Sequence, residues 1–393
     1  MNVFRNIWER FFSPIQSLPA GIYHYQAPAE SAYPYRLHLR IEPDGQGVLI
    51  VNASTVVHLN ATAAEYAYHL VNQTPDEEAV EKMAQRYNVR KEIVKRDYQD
   101  LLERLQTLVD TPDLDPVAFL NFDRQEPYSA ASTAPYRLDC ALTYQLPDEG
   151  ARNLAPRERV DREMEGAEWQ QVLDKAWQAG IPHAIFTGGE PTLRPDLCSL
   201  IAYAEKLGMV SGLITNGLRL AEPEYLSDLL QSGLDHVMIL LDPDQETCWK
   251  ALRATLAEDI AVTVHITLSE RTLPNFDLTL ERLVEMGVQN ISLSAETLGL
   301  KNELKNKRDA VAERQIHLVW DLPVPYSTFN PVAVELAEML PTVDTVNNGP
   351  GRAWLYIEPD GDVLRGQGYS QEVLGNLLRD PWAAIWARNQ QVR

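Results

Sequence analysis

From Arg137 onward the chain alternates short apolar runs with amphipathic stretches, and this strand–helix repetition limits the fold more than any other feature. The runs are Leu138–Thr143, Ala184–Thr187, Val210–Thr215, His236–Leu241, Ala261–Leu268, Asn290–Ser294 and His317–Leu322. Helical stretches such as Glu168–Ala179, Leu197–Lys206 and Thr279–Met286 lie between them, with Gly180, Gly208, Gly233 and Gly287 placed as C-caps. Parallel strands joined by helices require right-handed crossovers. Six or seven such units predict an α/β fold, a partial or complete (β/α) barrel, with a doubly wound open sheet as the alternative. Either fold places its chemistry at the C-terminal ends of the strands.

The preceding residues follow another rhythm. Arg36–Ile41, Gly47–Val51 and Thr55–Leu59 alternate as strands, and Pro43, Asp44 and Gly45 supply a turn between the first two. Asn60 or Thr62 caps a helix to about Val71, and Thr74-Pro75-Asp76-Glu77 opens a second with acids at its positive end. A third helix carries Ile93, Tyr98, Leu101, Leu102, Leu105 and Leu108 on one side. Three strands and three helices predict a winged-helix-like α+β domain over residues 31–110. Residues 1–30 are set apart as an N-terminal amphipathic segment. There Val3, Phe4, Ile7, Trp8, Phe11 and Ile15 share a stripe, for docking on the protein itself or, alternatively, on a membrane surface or partner. The Pro- and Ser-rich residues 111–135 predict a linker, 136–330 the barrel, and 331–393 a C-terminal extension. That extension holds a hairpin over Ala353–Leu364 and an amphipathic end with Trp382, Ile385 and Trp386.

With 393 residues, the chain has room for two or three cores. Its formal charge of −21, from 35 basic and 56 acidic residues, excludes a basic field for nucleic acid or anionic lipid. Only Cys140, Cys198 and Cys248 occur, without a C-x-x-C pair, which excludes a zinc ribbon or disulfide framework and makes a reduced, cytoplasmic setting the expectation. No apolar run is long enough for a transmembrane helix, and Arg5, Glu9 and Arg10 break any signal-peptide pattern.

The most specific motif follows the second strand of the repeat: Thr187-Gly188-Gly189-Glu190-Pro191-Thr192-Leu193-Arg194. Paired glycines let the backbone approach a ligand closely, and the Glu190 carboxylate suits a cation such as an ammonium. This segment resembles the GGEP motif of the radical S-adenosylmethionine (SAM) family, and Leu213-Ile214-Thr215-Asn216-Gly217 resembles that family's third-strand ending. The C-terminal stretch Gly351–Val363, with Leu374-Gly375-Asn376 and the Trp-rich end, resembles the SPASM-type extension of PqqE-like members. The first domain resembles PqqD, a peptide-recognition family.

The resemblance implies SAM as the small-molecule ligand, held by Gly188, Gly189, Glu190, Pro191, Thr215 and Asn216. It also implies a 4Fe–4S cluster on three cysteines spaced C-x-x-x-C-x-x-C after the first strand, and there the sequence departs. Leu146, Gly150 and Asn153 occupy those positions, and Asn348 and Gly366 stand where auxiliary-cluster cysteines are expected. None is a thiolate, so the cluster is expected to be absent, and with it radical chemistry. Thr143, Glu190, Asn216, Asp242, His265, Ser294 and Asp321 remain as polar strand-end residues, of which His265, Asp242 and Asp321 are the candidates for acid–base or metal work. His183, His236 and His317 sit at strand starts, away from the site.

The sequence therefore points to a binding or scaffold component of a peptide-modification system. A peptide or protein partner would add a strand beside Val56, Val57 and His58 of the 31–110 domain. Competing readings are a first domain that merely packs on the barrel, an enzyme using SAM or another small ligand without radicals, and a radical enzyme with different ligation.

Overall fold

The computed structural model describes residues 18–28, 35–111, 120, 132–147, 155–319, 322–323, 349–367 and 372–391. The expected stripe over Val3–Ile15 lies outside them. The chain forms two compact units, Met1–Glu126 and Pro127–Arg393.

The first unit is an antiparallel meander of β1 (Gly21–Gln26), β2 (Arg36–Ile41), β3 (Gly47–Val51) and β4 (Thr55–Leu59), followed by α1 (Ala61–Val71), α2 (Asp76–Tyr87) and α3 (Lys91–Asp110). The expected three strands are four, because β1 pairs with β2 from Gly21 opposite Ile41 to Gln26 opposite Arg36. It lies inside the stretch set apart as an N-terminal segment. Its alternating Tyr23 and Tyr25 mark one face, and Tyr23 meets Tyr68 edge-on at 4.8 Å. Asn60 caps α1, its side chain accepting the Ala63 N–H at 3.0 Å. Leu37, Leu39, Leu49, Val57 and Leu59 pack on Ala64, Ala67, Met83, Tyr98 and Leu101. Burying each large member of that set contributes about 1.5–3 kcal/mol before entropy is counted. β4 has β3 as its one neighbour among the described residues, so it is a sheet edge.

The second unit is a ten-stranded sheet. Its parallel body comprises β5 (Arg137–Thr143), β6 (His183–Gly188), β7 (Val210–Thr215), β8 (His236–Leu240), β9 (Ala261–Leu268), β10 (Asn290–Ala295) and β11 (His317–Leu318), neighbours in chain order. The intervening helices are α4 (Gly166–Gln178), α5 (Leu197–Leu207), α6 (Pro223–Gln231), α7 (Glu246–Leu256), α8 (Phe276–Glu285) and α9 (Lys301–Glu313). Strand order without reversal rules out the doubly wound alternative and keeps the crossovers on one face.

The barrel is partial. β5 is flanked by β6 and by β12 (Trp354–Ile357), which continues antiparallel into β13 (Asp362–Leu364) and β14 (Gly375–Asn376) before α10 (Trp382–Gln391). The C-terminal extension is therefore not a separate layer: its strands extend the same sheet. The end of the expected linker belongs here too, since Ser132 and Thr133 carbonyls accept the indole N–H groups of Trp386 and Trp382 at 2.7 and 3.2 Å.

Alternation sorts the strand residues. Leu138, Cys140, Phe186, Leu213, Ile239, Val264 and Ile266 join the helix-side core. Asp139, Thr187, Ile214, Met238, His265 and Tyr356 alternate with them onto the opposite face. No helix among the described residues is long and apolar enough to cross a membrane.

Candidate ligand site at the strand ends

β6 ends in a loop that only glycine can form. Gly188 has φ of 118°, and a Cβ there would lie 2.3 Å from the Thr143 carbonyl oxygen; a Cβ on Gly189 would lie 2.2 Å from that of Gln145. The loop is held against the segment after β5 by Gly189 N–H to Thr143 O at 2.7 Å and Glu190 N–H to Gln145 O at 2.8 Å. Pro191 then opens a single 3₁₀ turn, Pro191–Leu193.

Glu190 joins this loop to the end of β7. Its Oε1 accepts from the Thr192 N–H at 3.0 Å, the Thr192 hydroxyl and the Thr215 hydroxyl at 2.7 Å, and its Oε2 accepts the Asn216 N–H at 2.8 Å. Burial pushes its pKa up, and these donors work against the shift. The carboxylate expected to await an external cation is thus largely committed to its own protein, with lone-pair capacity remaining on Oε2. Asn216 Oδ1 turns back to the Leu218 N–H at 2.9 Å. Gly188, Gly189, Glu190, Pro191, Thr215 and Asn216 are therefore brought together as one hydrogen-bonded unit.

Arg194, quoted in the motif without a role, braces it from behind. Its Nη1 donates to the Leu142 and Met164 carbonyls, both at 3.0 Å, and Nη2 pairs with Asp196 at 2.7 Å. Beside Thr187-Gly188, the Thr187 hydroxyl is buried without a hydrogen-bond partner.

The end of β5 is organised by different carboxylates. Glu163 Oε1 accepts the Thr143 hydroxyl at 2.8 Å and the Tyr144 N–H at 2.9 Å. The Tyr144 hydroxyl donates to Glu358 Oε1 at 3.0 Å, and Arg159 pairs with Glu358 Oε2 at 2.8 Å. Burial raises the Glu358 carboxyl, and the Arg159 guanidinium opposes that shift. Sequence reading missed this cluster, whose members come from β5, β12 and the connection before α4.

Leu146 is half-buried after β5. Gly150, Asn153, Asn348 and Asp321 lie outside the described residues, and Gly366 is buried. Cys140 points into the helix-side core, where burial raises its thiol pKa. Cys198 and Cys248 are on α5 and α7, and the Cys248 thiol contacts the Asn216 carbonyl at 3.6 Å.

His265 is fully buried and among the described residues meets hydroxyls: Ser292 at 3.0 Å through Nδ1, and Ser294 and Thr267 at 3.0 and 3.2 Å through Nε2. Burial lowers its pKa to about 3, so it is neutral. Asp242 pairs instead with Arg271 at 3.0 Å. His183 and His236, at the far ends of their strands, approach to 2.8 Å between Nε2 atoms, in room left by Gly212, whose Cβ would lie 2.2 Å from the His236 ring. No cluster of three His, Cys, Asp or Glu side chains suited to a metal occurs among the described residues.

In the first unit, Val56, Val57 and His58 are on the edge strand β4. Val57 enters the core, while Val56 and His58 are half-buried. A groove of about 250 Å³ runs beside it, bounded by Leu59, Ala63, Tyr66 and Leu101, with Asp97, Asp100 and Arg104 of α3 along its wall.

The architecture is a parallel α/β sheet with its ligand-type loop at the strand ends in one unit, and a four-stranded meander followed by three helices in the other. The radical SAM superfamily profile matches residues 140–280, and that of coenzyme PQQ synthesis protein D (PqqD) matches residues 47–108, so the chain carries a radical SAM superfamily domain and a PqqD domain. It is 27% identical over 283 residues to a PqqA peptide cyclase of Streptomyces rochei, covering 64% of this chain and 76% of the relative. It is 30% identical over 231 residues to a PqqA peptide cyclase of Gluconobacter oxydans, covering 58% of this chain and 62% of that one. Streptococcus suis SuiB, solved bound to S-adenosylmethionine, shares the fold with a TM-score of 0.58 at 15% identity, over 89% of this chain and 86% of SuiB.

Proposed function

We propose that this chain is a radical-SAM-like pseudoenzyme, a peptide-binding or scaffold component of a peptide-modification system. The observation that carries the reading is the chemistry of the cysteines. Cys140, Cys198 and Cys248 are the chain's only thiols; the first is buried on the helix side, and the other two belong to helices. At the three positions after β5 stand Leu146, Gly150 and Asn153. Such residues do not fit a 4Fe–4S cluster, which is held by thiolates. Without that electron donor, reductive cleavage of SAM has no route here.

The PqqD domain supports the binding half of the proposal. Its edge strand β4 offers unpaired backbone groups next to a groove, the geometry for strand addition by an extended peptide. The relatives are named PqqA peptide cyclases, and SuiB has been solved with its precursor peptide SuiA, which fits a peptide as partner.

Anaerobic iron–sulfide reconstitution followed by iron assay and EPR tests the first half. Iron at the level of a metal-free control, with no cluster signal, is expected; a stoichiometric cluster with SAM cleavage would overturn it.

A second reading is favoured by one observation, the intact loop from Gly188 to Pro191. The same residues would hold the methionyl end of SAM, with backbone groups and Glu190 Oε2 toward its ammonium, and serve non-radical chemistry at the strand ends. Bound SAM would supply an electrophilic sulfonium. Calorimetry with SAM separates the readings: binding that disappears in Glu190→Ala favours the second, and no heat favours a scaffold alone.

A further inference from the structure

The groove of the small unit carries a charge pattern that the peptide-binding reading does not by itself require. An extended strand docked beside β4 points alternate side chains to the helix face, the side to which Val57 and Leu59 turn. The groove's apolar part is made by Leu59, Leu101 and Tyr66, all buried, and half-buried Ala63, alongside the polar His58, Asn60 and Thr62. The wall is acidic. Asp97 and Asp100 of α3, both exposed, line the groove, with Arg104 as the one cation among the described residues that line it.

That cation is drawn toward Asp100, at 2.5 Å, while the partner of Asp97 is Arg96, a residue outside the lining whose side chain is 77% exposed. His58 at the strand side adds no charge near neutrality, since burial and Arg40 lower its pKa. Asp97 also acts inward: burial first, then its charge, pushes the Tyr66 phenol up to about 12. The groove therefore presents an apolar patch of Leu59, Ala63, Tyr66 and Leu101 beside acidic side chains of α3.

We propose that the peptide taken by this groove is basic at its contact point, with an apolar residue on that patch and a Lys or Arg two positions along, facing Asp97 and Asp100. The spacing follows from strand geometry, in which residues i and i+2 share a face. The proposal rests on the reading of the PqqD domain as a peptide binder, and the experiment separates the two.

Fluorescence anisotropy of the full chain is measured with two labelled peptides of alternating Thr and Leu. They are identical except for Lys or Glu two residues after the central Leu. The Lys peptide is expected to bind about three- to fivefold tighter at low salt, as exposed ion pairs allow, with the preference fading at high salt. The double variant Asp97→Lys, Asp100→Lys, at exposed sites whose folding is checked by circular dichroism, is expected to reverse the order. Equal affinities of the native chain for both peptides, or an unchanged order in the double variant, would overturn the charge inference while leaving strand addition standing. Binding of neither peptide would remove the peptide-groove reading itself.

Discussion

β5 and β6 are hydrogen-bonded neighbours, yet their ends have opposite characters. The end of β6 is sterically specified: two glycines lie against carbonyl oxygens, and one carboxylate gathers four donors from the turn after β6 and the end of β7. The end of β5 is tied to Glu163 and Glu358, and carries Leu146 where the family resemblance implies the first thiolate. On the function proposed above, a loop shaped to seat a ligand stands beside one that carries no thiolate, and binding geometry and electron supply would be separable.

The sharpest way to break this comparison is Gly188→Val. A branched side chain at φ of 118°, aimed at a carbonyl, is expected to cost about 3 kcal/mol or more, read as a loss of urea midpoint. An unchanged midpoint would mean the loop is not sterically specified. Next comes the paired test of Glu190→Ala against Glu163→Ala. Removing buried Glu190 strands the Thr192 and Asn216 amides and is expected to cost about 2–3 kcal/mol. Losing Glu163, itself half-buried and so nearer solvent than Glu190, should cost about 1 kcal/mol. Equal losses would erase the contrast between the two ends.

The last test concerns pH. His265 titrates at about 3 in the fold against 6.5 for an ordinary histidine, so the unfolded chain binds the extra proton between those values. Its contribution is complete above 6.5 and is lost as pH falls toward 3. Denaturant midpoints between pH 7 and 5 should therefore decline less steeply in His265→Asn than in the native chain; identical slopes would show that the imidazole is not the sensor.

The strand–helix alternation was legible because apolar periodicity is local: all seven parallel strands lie where their apolar runs fall, and Asn60 caps its helix. β1 was passed over because Tyr23 and Tyr25 were absorbed into a terminal segment, although their alternation was a usable signal. Closure of the barrel was not legible at all, since pairing of β5 with β12 depends on contacts far apart in the chain. In the site, the glycine pair and Glu190 stood out as types, but two of the four donors to Glu190 come from the end of β7, and the carboxylate that takes the Tyr144 hydroxyl follows β12. Hydrogen bonds of that kind leave no spacing in the sequence to read. The same holds for His265, whose ring meets serines of β10, while Asp242 pairs with Arg271.

The pairing of Arg137 with Trp354 across β5 and β12 has a consequence for how the protein is made. As the chain leaves the ribosome, β5 can recruit β6 early, but its other flank stays open until translation has passed Ile357. Termination before Trp354 would release a polypeptide with a bare strand in what should be the interior, a natural substrate for chaperones or proteases.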